Sequence, residues 1–300
     1  MLFVFLDGVG LGPASEHNPL CTLPLPTLRS LAGDQAWTAE ASPLRQRRHT
    51  VLSLDATLSI EGLPQSGTGQ VSLFSGIDGV RLHGRHFGPY PPSATHGPLA
   101  EHSVYERLKQ RGISADEMAL ANGYPERYFR AMEARNRWNT SSRMARAAGV
   151  HLRTACDLTL GDALPADFTG HAWQRHIDPD HVPISAEAAG LRLLHLAQRH
   201  RFTLYDYPHT DTAGHGRSGL TPEAILPLVD AFLGAIVGGL DPEKDLLVVS
   251  SDHGNIERPS TKSHTTNPVP LIALGPGADR FWEATSILDV TPAIVEALTG

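Results

Sequence analysis

The chain has 300 residues, 41% of them apolar, with a formal net charge of −7 and a pI of about 6.1. Such a length suits one large α/β unit carrying an insertion, and the apolar share supplies a sizeable core. The acidic balance excludes a general nucleic-acid-binding surface, which needs a basic stripe. The only cysteines, Cys21 and Cys156, stand in no metal-ligand spacing; they exclude a disulfide framework and point to a reducing, cytoplasmic setting.

The opening "MLFVFLDGVG" is apolar up to Asp7. It lacks a basic leader region, so it reads as a buried strand rather than a secretion signal. No stretch reaches the roughly eighteen apolar residues of a membrane span. At 61–76, "EGLPQSGTGQVSLFSG" crowds glycines around Ser66 and Thr68 at the mouth of an apolar helix. Two readings stand open there. Ser66 caps the helix, since Ser is a favoured N-cap, or the helix N-terminus holds an anion beside a working hydroxyl.

Continuous apolar runs at 2–6, 118–123, 202–207, 246–251 and 269–275 read as buried parallel strands. Helical patterns at 103–112, 185–200, 221–240 and 286–300 lie among them, the third opening on a Thr-Pro start. Strands interleaved with helices predict an α/β doubly wound, mostly parallel sheet with helices on both faces. Between 123 and 184 the rhythm breaks. That interval is rich in arginine, including Arg127, Arg130, Arg135 and Arg137. Residues 1–122 and 185–300 therefore read as the core, and 123–184 as an inserted lid or cap, with irregular elaboration of the sheet rim as the alternative.

Ligands of open α/β sheets bind outside the carboxyl ends of the strands. Asp7 follows the first strand, Asp211 and His215 follow the strand at 202–207, and Asp252 and His253 follow the strand at 246–251. Each has a plain explanation alone, such as the turn chemistry of Asp-Gly. Together they deliver carboxylates and imidazoles to one rim, a donor set suited to Zn²⁺ or Mn²⁺. Crowded carboxylates repel one another unless cations neutralise them.

These segments resemble the alkaline phosphatase superfamily, closest to its branch of cofactor-independent phosphoglycerate mutases and phosphopentomutases. "LDGVGLG" resembles that branch's first metal-binding strand, "PQSGTGQ" its nucleophile segment, "DTAGH" its Asp-x-x-Gly-His motif, "SDHGN" its Asp-His-Gly-Asn and "SHTTNPVP" its last metal motif. The resemblance covers the first 80 residues and roughly 185–300. It implies Asp211, His215 and His264 on one divalent ion, Mn²⁺ or Zn²⁺, and Asp7, Ser66, Asp252 and His253 on its neighbour. It also implies Ser66 as the nucleophile of a phosphoserine mechanism, with Thr68 the rival hydroxyl.

Two departures matter. Gly67 and Gln70 stand where the branch has Glu and His, and the span from Ser66 to Asp211 is too short for the mutase's large inserted domain. Hydrolysis of small phosphate esters is accordingly the leading expectation. A phosphomutase, and a non-catalytic protein binding metals and phosphorylated ligands, are the alternatives. Expected contacts with a small phosphorylated substrate are Thr68, Gln70, Asn18 and one or two of Arg127, Arg130, Arg135 and Arg137, the arginines gripping an anionic group bidentately. The alternative for the arginines is a solvated helix face paired with Glu126 and Glu133. Neither a nucleic acid nor a membrane is an expected partner.

Overall fold

The computed structural model describes residues 1–300. Its strands in chain order are β1 (Leu2–Leu6), β2 (Leu44–Gln46), β3 (His49–Leu54), β4 (Met118–Leu120), β5 (Gly123–Tyr124), β6 (Arg153–Thr154), β7 (Phe202–Tyr207), β8 (Leu247–Ser250) and β9 (Val269–Leu274). Seven of them form one sheet in the order β2-β3-β9-β8-β1-β7-β4, while β5 and β6 make a separate pair. The block β8-β1-β7-β4 is parallel, as its unbroken apolar runs predict.

At the other edge the direction changes. β9 lies antiparallel to both β8 and β3, and β2 antiparallel to β3. The run at 269–275 is thus a buried strand but not a parallel one. A parallel return needs a crossover, usually a helix, and the link from β8 to β9 carries site loops and one 3₁₀ turn, Pro259–Thr261.

Period-two alternation along β1 sends Phe3 and Phe5 into one core cluster and Leu2, Val4 and Leu6 into another, one on each sheet face. The first is closed by helix Ser66–Ser75, whose Phe74 meets Phe3 and Phe5 edge-on at 5.9 and 5.1 Å. The second is closed by helices Ala186–Gln198 and Pro222–Gly239, packed on each other. The latter helix has a mean hydropathy of 1.4 over 18 residues, long and apolar enough by composition to cross a membrane. It comes nearer a membrane span than the sequence reading allowed, yet Ile225, Val229, Phe232 and Ile236 bury against the sheet.

The interval 123–184 is not one separate cap. Helix Thr140–Ala148 contributes Met144, Ala145 and Ala148 to the first core cluster, so it is part of the main body. Leu158, Ala163 and Trp173 form a small cluster of their own farther along. The first helix of the interval, Glu126–Arg135, has no buried residue.

Candidate active site

The rim where β1, β7 and β8 end gathers six ligand-type side chains and one hydroxyl. Asp7 leaves β1, Asp211 and His215 belong to the turn of helix His209–Gly214 after β7, and Asp252 and His253 follow β8. His264 arrives from the β8–β9 link. Asp211 Oδ1 lies 3.4 Å from His215 Nε2 and 3.5 Å from His264 Nε2, and the two imidazole nitrogens are 3.1 Å apart. Beside them, His253 Nε2 lies 3.3 Å from Asp7 Oδ1, 3.7 Å from Asp252 Oδ2 and 3.0 Å from Ser66 Oγ. The rings of His253 and His264 stack with centroids 3.8 Å apart.

This geometry fits divalent cations on the chemistry of its donors. Nδ1 of His264 lies 2.6 Å from the Pro64 carbonyl and Nδ1 of His215 lies 2.9 Å from that of Lys262. A carbonyl only accepts, so each Nδ1 carries the proton and each Nε2 offers a lone pair. Those lone pairs and Asp211 Oδ1 converge on one point, with Asp7, Asp211 and His253 forming a second convergent set. Asp7 Oδ1 and both carboxylate oxygens of Asp252 are buried without any hydrogen-bond partner. Buried polar atoms left bare are strongly disfavoured, and cations on these atoms would satisfy them.

The electrostatics agree. Burial, reinforced by the charge of Asp252, pushes Asp7 up to about 8, although the neighbouring His253 imidazole opposes it. Burial also pushes Asp252 up to about 6, against the pull of His253. For His253, burial works downward, but the Asp252 and Asp7 carboxylates override it and raise the imidazole to about 10. Burial would likewise raise Asp211, yet His264, His253 and the Asn255 amide hold it below the usual carboxylate range.

Ser66 is not a cap. Gln65 is the N-cap of helix Ser66–Ser75, with no side-chain bond, and Ser66 is the first helical residue, its hydroxyl turned to His253. The glycines that crowd it permit close backbone approach. A Cβ on Gly67 would lie 2.7 Å from the Phe87 carbonyl oxygen and closer still to that of Tyr90, and one on Gly69 would lie 3.0 Å from the Asp252 carbonyl oxygen. Gly67→Ala is therefore expected to destabilise the fold by about 1–3 kcal/mol through overpacking, read as a lowered midpoint in thermal unfolding. An unchanged midpoint would mean the 87–90 loop yields freely.

Six of the expected contacts are corrected. Thr68 is fully buried and accepts a hydrogen bond from the Phe87 N–H at 3.1 Å, so it ties the helix to a loop and does not face the cavity. Asn18 caps helix Pro19–Thr22 by accepting from the Leu20 N–H at 3.0 Å. Arg127, Arg130, Arg135 and Arg137 are all exposed and none lines the cavity. The amphipathic helix turns Tyr128 and Phe129 inward toward Trp138, which leaves its arginines to solvent, Arg130 pairing with Glu126 at 3.4 Å. Gln70 does reach the rim, its Nε2 donating to Asp7 Oδ2 at 3.2 Å.

Several side chains that build the rim went unread in the sequence. Asn255 donates to Asp211 Oδ1 at 2.6 Å. Glu257, buried, accepts from the N–H groups of Gly10 and Asn255 at 3.0 and 2.8 Å, from Asn267 at 3.0 Å and from the Thr265 hydroxyl, binding three loops together. The cavity beside Ser66 holds about 250 Å³ and is walled by Tyr90, Asn122, Tyr124, Asn139 and Asp206. Asn122 and Tyr124 follow β4, so the strand-end rule that found the aspartates could have found them. Burial pushes Asp206 up to about 7, while a hydrogen bond from Ser141 opposes it.

The fold is a mixed α/β sheet whose rim gathers a donor set suited to divalent cations. Residues 183–299 match the family model described as the Metalloenzyme superfamily. A 2,3-bisphosphoglycerate-independent phosphoglycerate mutase of Thermomicrobium roseum is 32% identical over 115 residues, covering 34% of this chain and 22% of that protein. The same-named protein of Pseudomonas fluorescens is 32% identical over 110 residues, 34% of this chain and 21% of its own. These matches span about a fifth of the relatives' length. The fold is similar to that of an alkaline phosphatase from the Antarctic bacterium TAB5, with a TM-score of 0.52 at 12% identity over 99% of this chain and 97% of that one. It is also similar to the Leishmania mexicana phosphoglycerate mutase, with a TM-score of 0.51 at 12% identity over 99% and 95% of the two chains.

Proposed function

We propose that the chain transfers phosphoryl groups through a phosphoserine at Ser66 and acts as a phosphohydrolase on small phosphate esters. The observation that carries this is the position of Ser66 Oγ, 3.0 Å from His253 Nε2, at the first residue of a buried helix and on the wall of an open cavity. Asp211, His215 and His264 would hold one divalent ion, Mn²⁺ or Zn²⁺, and Asp7, Ser66, Asp252 and His253 its neighbour. Such ions would lower the hydroxyl's pKa and neutralise charge developing on the phosphoryl oxygens.

The chain's own part is positioning. Ser66 Oγ bonds to phosphorus while the bond from phosphorus to the substrate's alcohol oxygen breaks, and water then cleaves the Oγ–phosphorus bond to release phosphate. The dipole of helix Ser66–Ser75 places its positive end toward the phosphoryl group. Gln70 steadies Asp7, and Asn255 steadies Asp211. A mutase must keep water from the phosphoserine, and the part of 123–184 that would close the cavity is tied into the core through helix Thr140–Ala148. This supports hydrolysis.

The phosphomutase reading rests on the likeness to phosphoglycerate mutases. A single assay separates the readings: protein loaded with Mn²⁺ or Zn²⁺ is given p-nitrophenyl phosphate, then phosphoglycerate. Release of inorganic phosphate from both is the expected result. Isomerisation of phosphoglycerate without phosphate release would make it a mutase, and inertness toward every ester would leave a metal-binding protein without catalysis.

A further inference from the structure

We infer that Glu257 is a positioning residue that sets the cation affinity of both convergent donor sets at the rim without touching either ion. The inference rests on the reading of those sets as sites for divalent ions. Glu257 lies in the loop that follows β8 and is 2% exposed. A carboxylate has about four lone-pair positions, and here each is taken. Oε2 accepts from the Gly10 N–H at 3.0 Å and the Asn255 N–H at 2.8 Å, while Oε1 accepts from Asn267 Nδ2 at 3.0 Å and from the Thr265 hydroxyl. With its oxygens filled in this way, Glu257 has no lone pair left for a metal. None of its donors is charged, so a carboxylate is buried on neutral partners alone. That is costly, and cations at the rim would offset it.

Each partner stands beside a proposed ligand. Gly10 is in the turn after β1 that begins with Asp7, Asn255 follows Asp252 and His253, and Thr265 adjoins His264 with Asn267 just beyond. Asn255 carries the tie further. Its Nδ2 donates to Asp211 Oδ1 at 2.6 Å, and Asp211 belongs to both donor sets. Asp7, Asp252, His253 and His264 all stand outside helices and strands, and ligands on loops are held less closely than ligands on regular elements. One buried side chain that joins its own loop to two others therefore fixes the spacing of these donors. Partners behind the ligands govern metal affinity nearly as strongly as the ligands do. Two glycines serve the contact, since a Cβ on Gly10 or on Gly254 would strike the Glu257 carboxylate.

The test titrates Mn²⁺ calorimetrically into the metal-free full chain and reads Tm with and without Mn²⁺, so no readout depends on turnover of an ester. Glu257→Gln keeps the shape of the side chain. Its carbonyl can still accept from Gly10 and Asn255, because the Thr265 hydroxyl and the Asn267 amide can turn to accept from its NH₂. The expected result is a folded protein whose affinity is weakened about tenfold at both ions, the lower end of what lost outer partners cost, with a smaller Mn²⁺-dependent rise in Tm. A Tm lowered equally with and without Mn²⁺, at unchanged affinity, would make Glu257 a strut of the fold and overturn the inference. A loss confined to one ion would overturn it as well. Should Glu257→Gln fail to fold, Thr265→Val decides: it deletes one of the four bonds, beside His264, and weaker Mn²⁺ binding sustains the inference while unchanged binding sinks it. A wild-type chain that takes up no Mn²⁺ removes the ion sites themselves and the positioning role with them, whereas equal uptake by wild type and Glu257→Gln removes the positioning role alone.

Discussion

Ser66→Ala is expected to lower kcat by roughly a thousandfold or more, the scale on which removal of a nucleophile acts, while leaving the fold in place. Its hydroxyl makes a single side-chain contact, to His253, and no helix-capping bond. The stability lost is therefore that of one hydrogen bond, about 0.5–1.5 kcal/mol. Thr68→Val is expected to behave oppositely. Thr68 has no access to the cavity, but its hydroxyl accepts from the Phe87 N–H, so the variant should lose stability and keep its chemistry. Quenched turnover followed by mass analysis should find phosphate on the peptide carrying Ser66. Full activity in Ser66→Ala, or phosphate found on Thr68, would move the nucleophile and remove the basis for the proposed mechanism.

The readable part of this protein is the part in which chemistry and fold press on the same residue. Asp7, Asp211 and Asp252 each follow the carboxyl end of a buried strand within a few residues, a position where an acidic residue has little structural use unless something binds there. The strand at 2–6 was legible because burial on both faces leaves no polar position in it, and the strand at 202–207 because Thr203 and Asp206 alone interrupt its apolar and aromatic residues. β2 and β3 were not, since β2 is a half-exposed three-residue edge strand and β3 follows it after a short turn. Local chemistry also misled. Asn18 and Thr68 are hydrogen-bonding residues near the site in sequence, but each spends its side chain on backbone only a few residues away or on a neighbouring loop. The arginines of helix Glu126–Arg135 are cationic residues in an acidic chain, and only the aromatic face opposite them decides that they look outward. Asp206 was hidden in plain sight as a charged letter in "FTLYDY". Glu257 had no signal, because three of its four partners, Gly10, Thr265 and Asn267, are brought to it by two other loops.

Removal of divalent ions is expected to have the largest effect on stability. Three carboxylates, those of Asp7, Asp211 and Asp252, stand around His253 in buried surroundings, and three of their oxygens have no protein partner. Folding must assemble this cluster whether or not cations are present, so the metal-free chain bears desolvation and repulsion that bound ions relieve. An ion at a hundred times its dissociation constant stabilises the folded state by about 2.7 kcal/mol. Two such sites give about 5 kcal/mol, on the order of 10 °C in Tm for a chain of this size. Chelation followed by reloading with Mn²⁺ or Zn²⁺ should therefore lower and then restore Tm. Elemental analysis of protein purified without chelator should find up to two ions. Asp211 belongs to both convergent sets, with His215 and His264 on one side and Asp7 and His253 on the other. Asp211→Asn should accordingly reduce the bound metal at both positions and flatten the metal-dependent rise in Tm, whereas His264→Ala should act chiefly on one. Equal metal content in wild type and Asp211→Asn, or a Tm indifferent to chelation, would mean that these donors meet for some purpose other than holding ions.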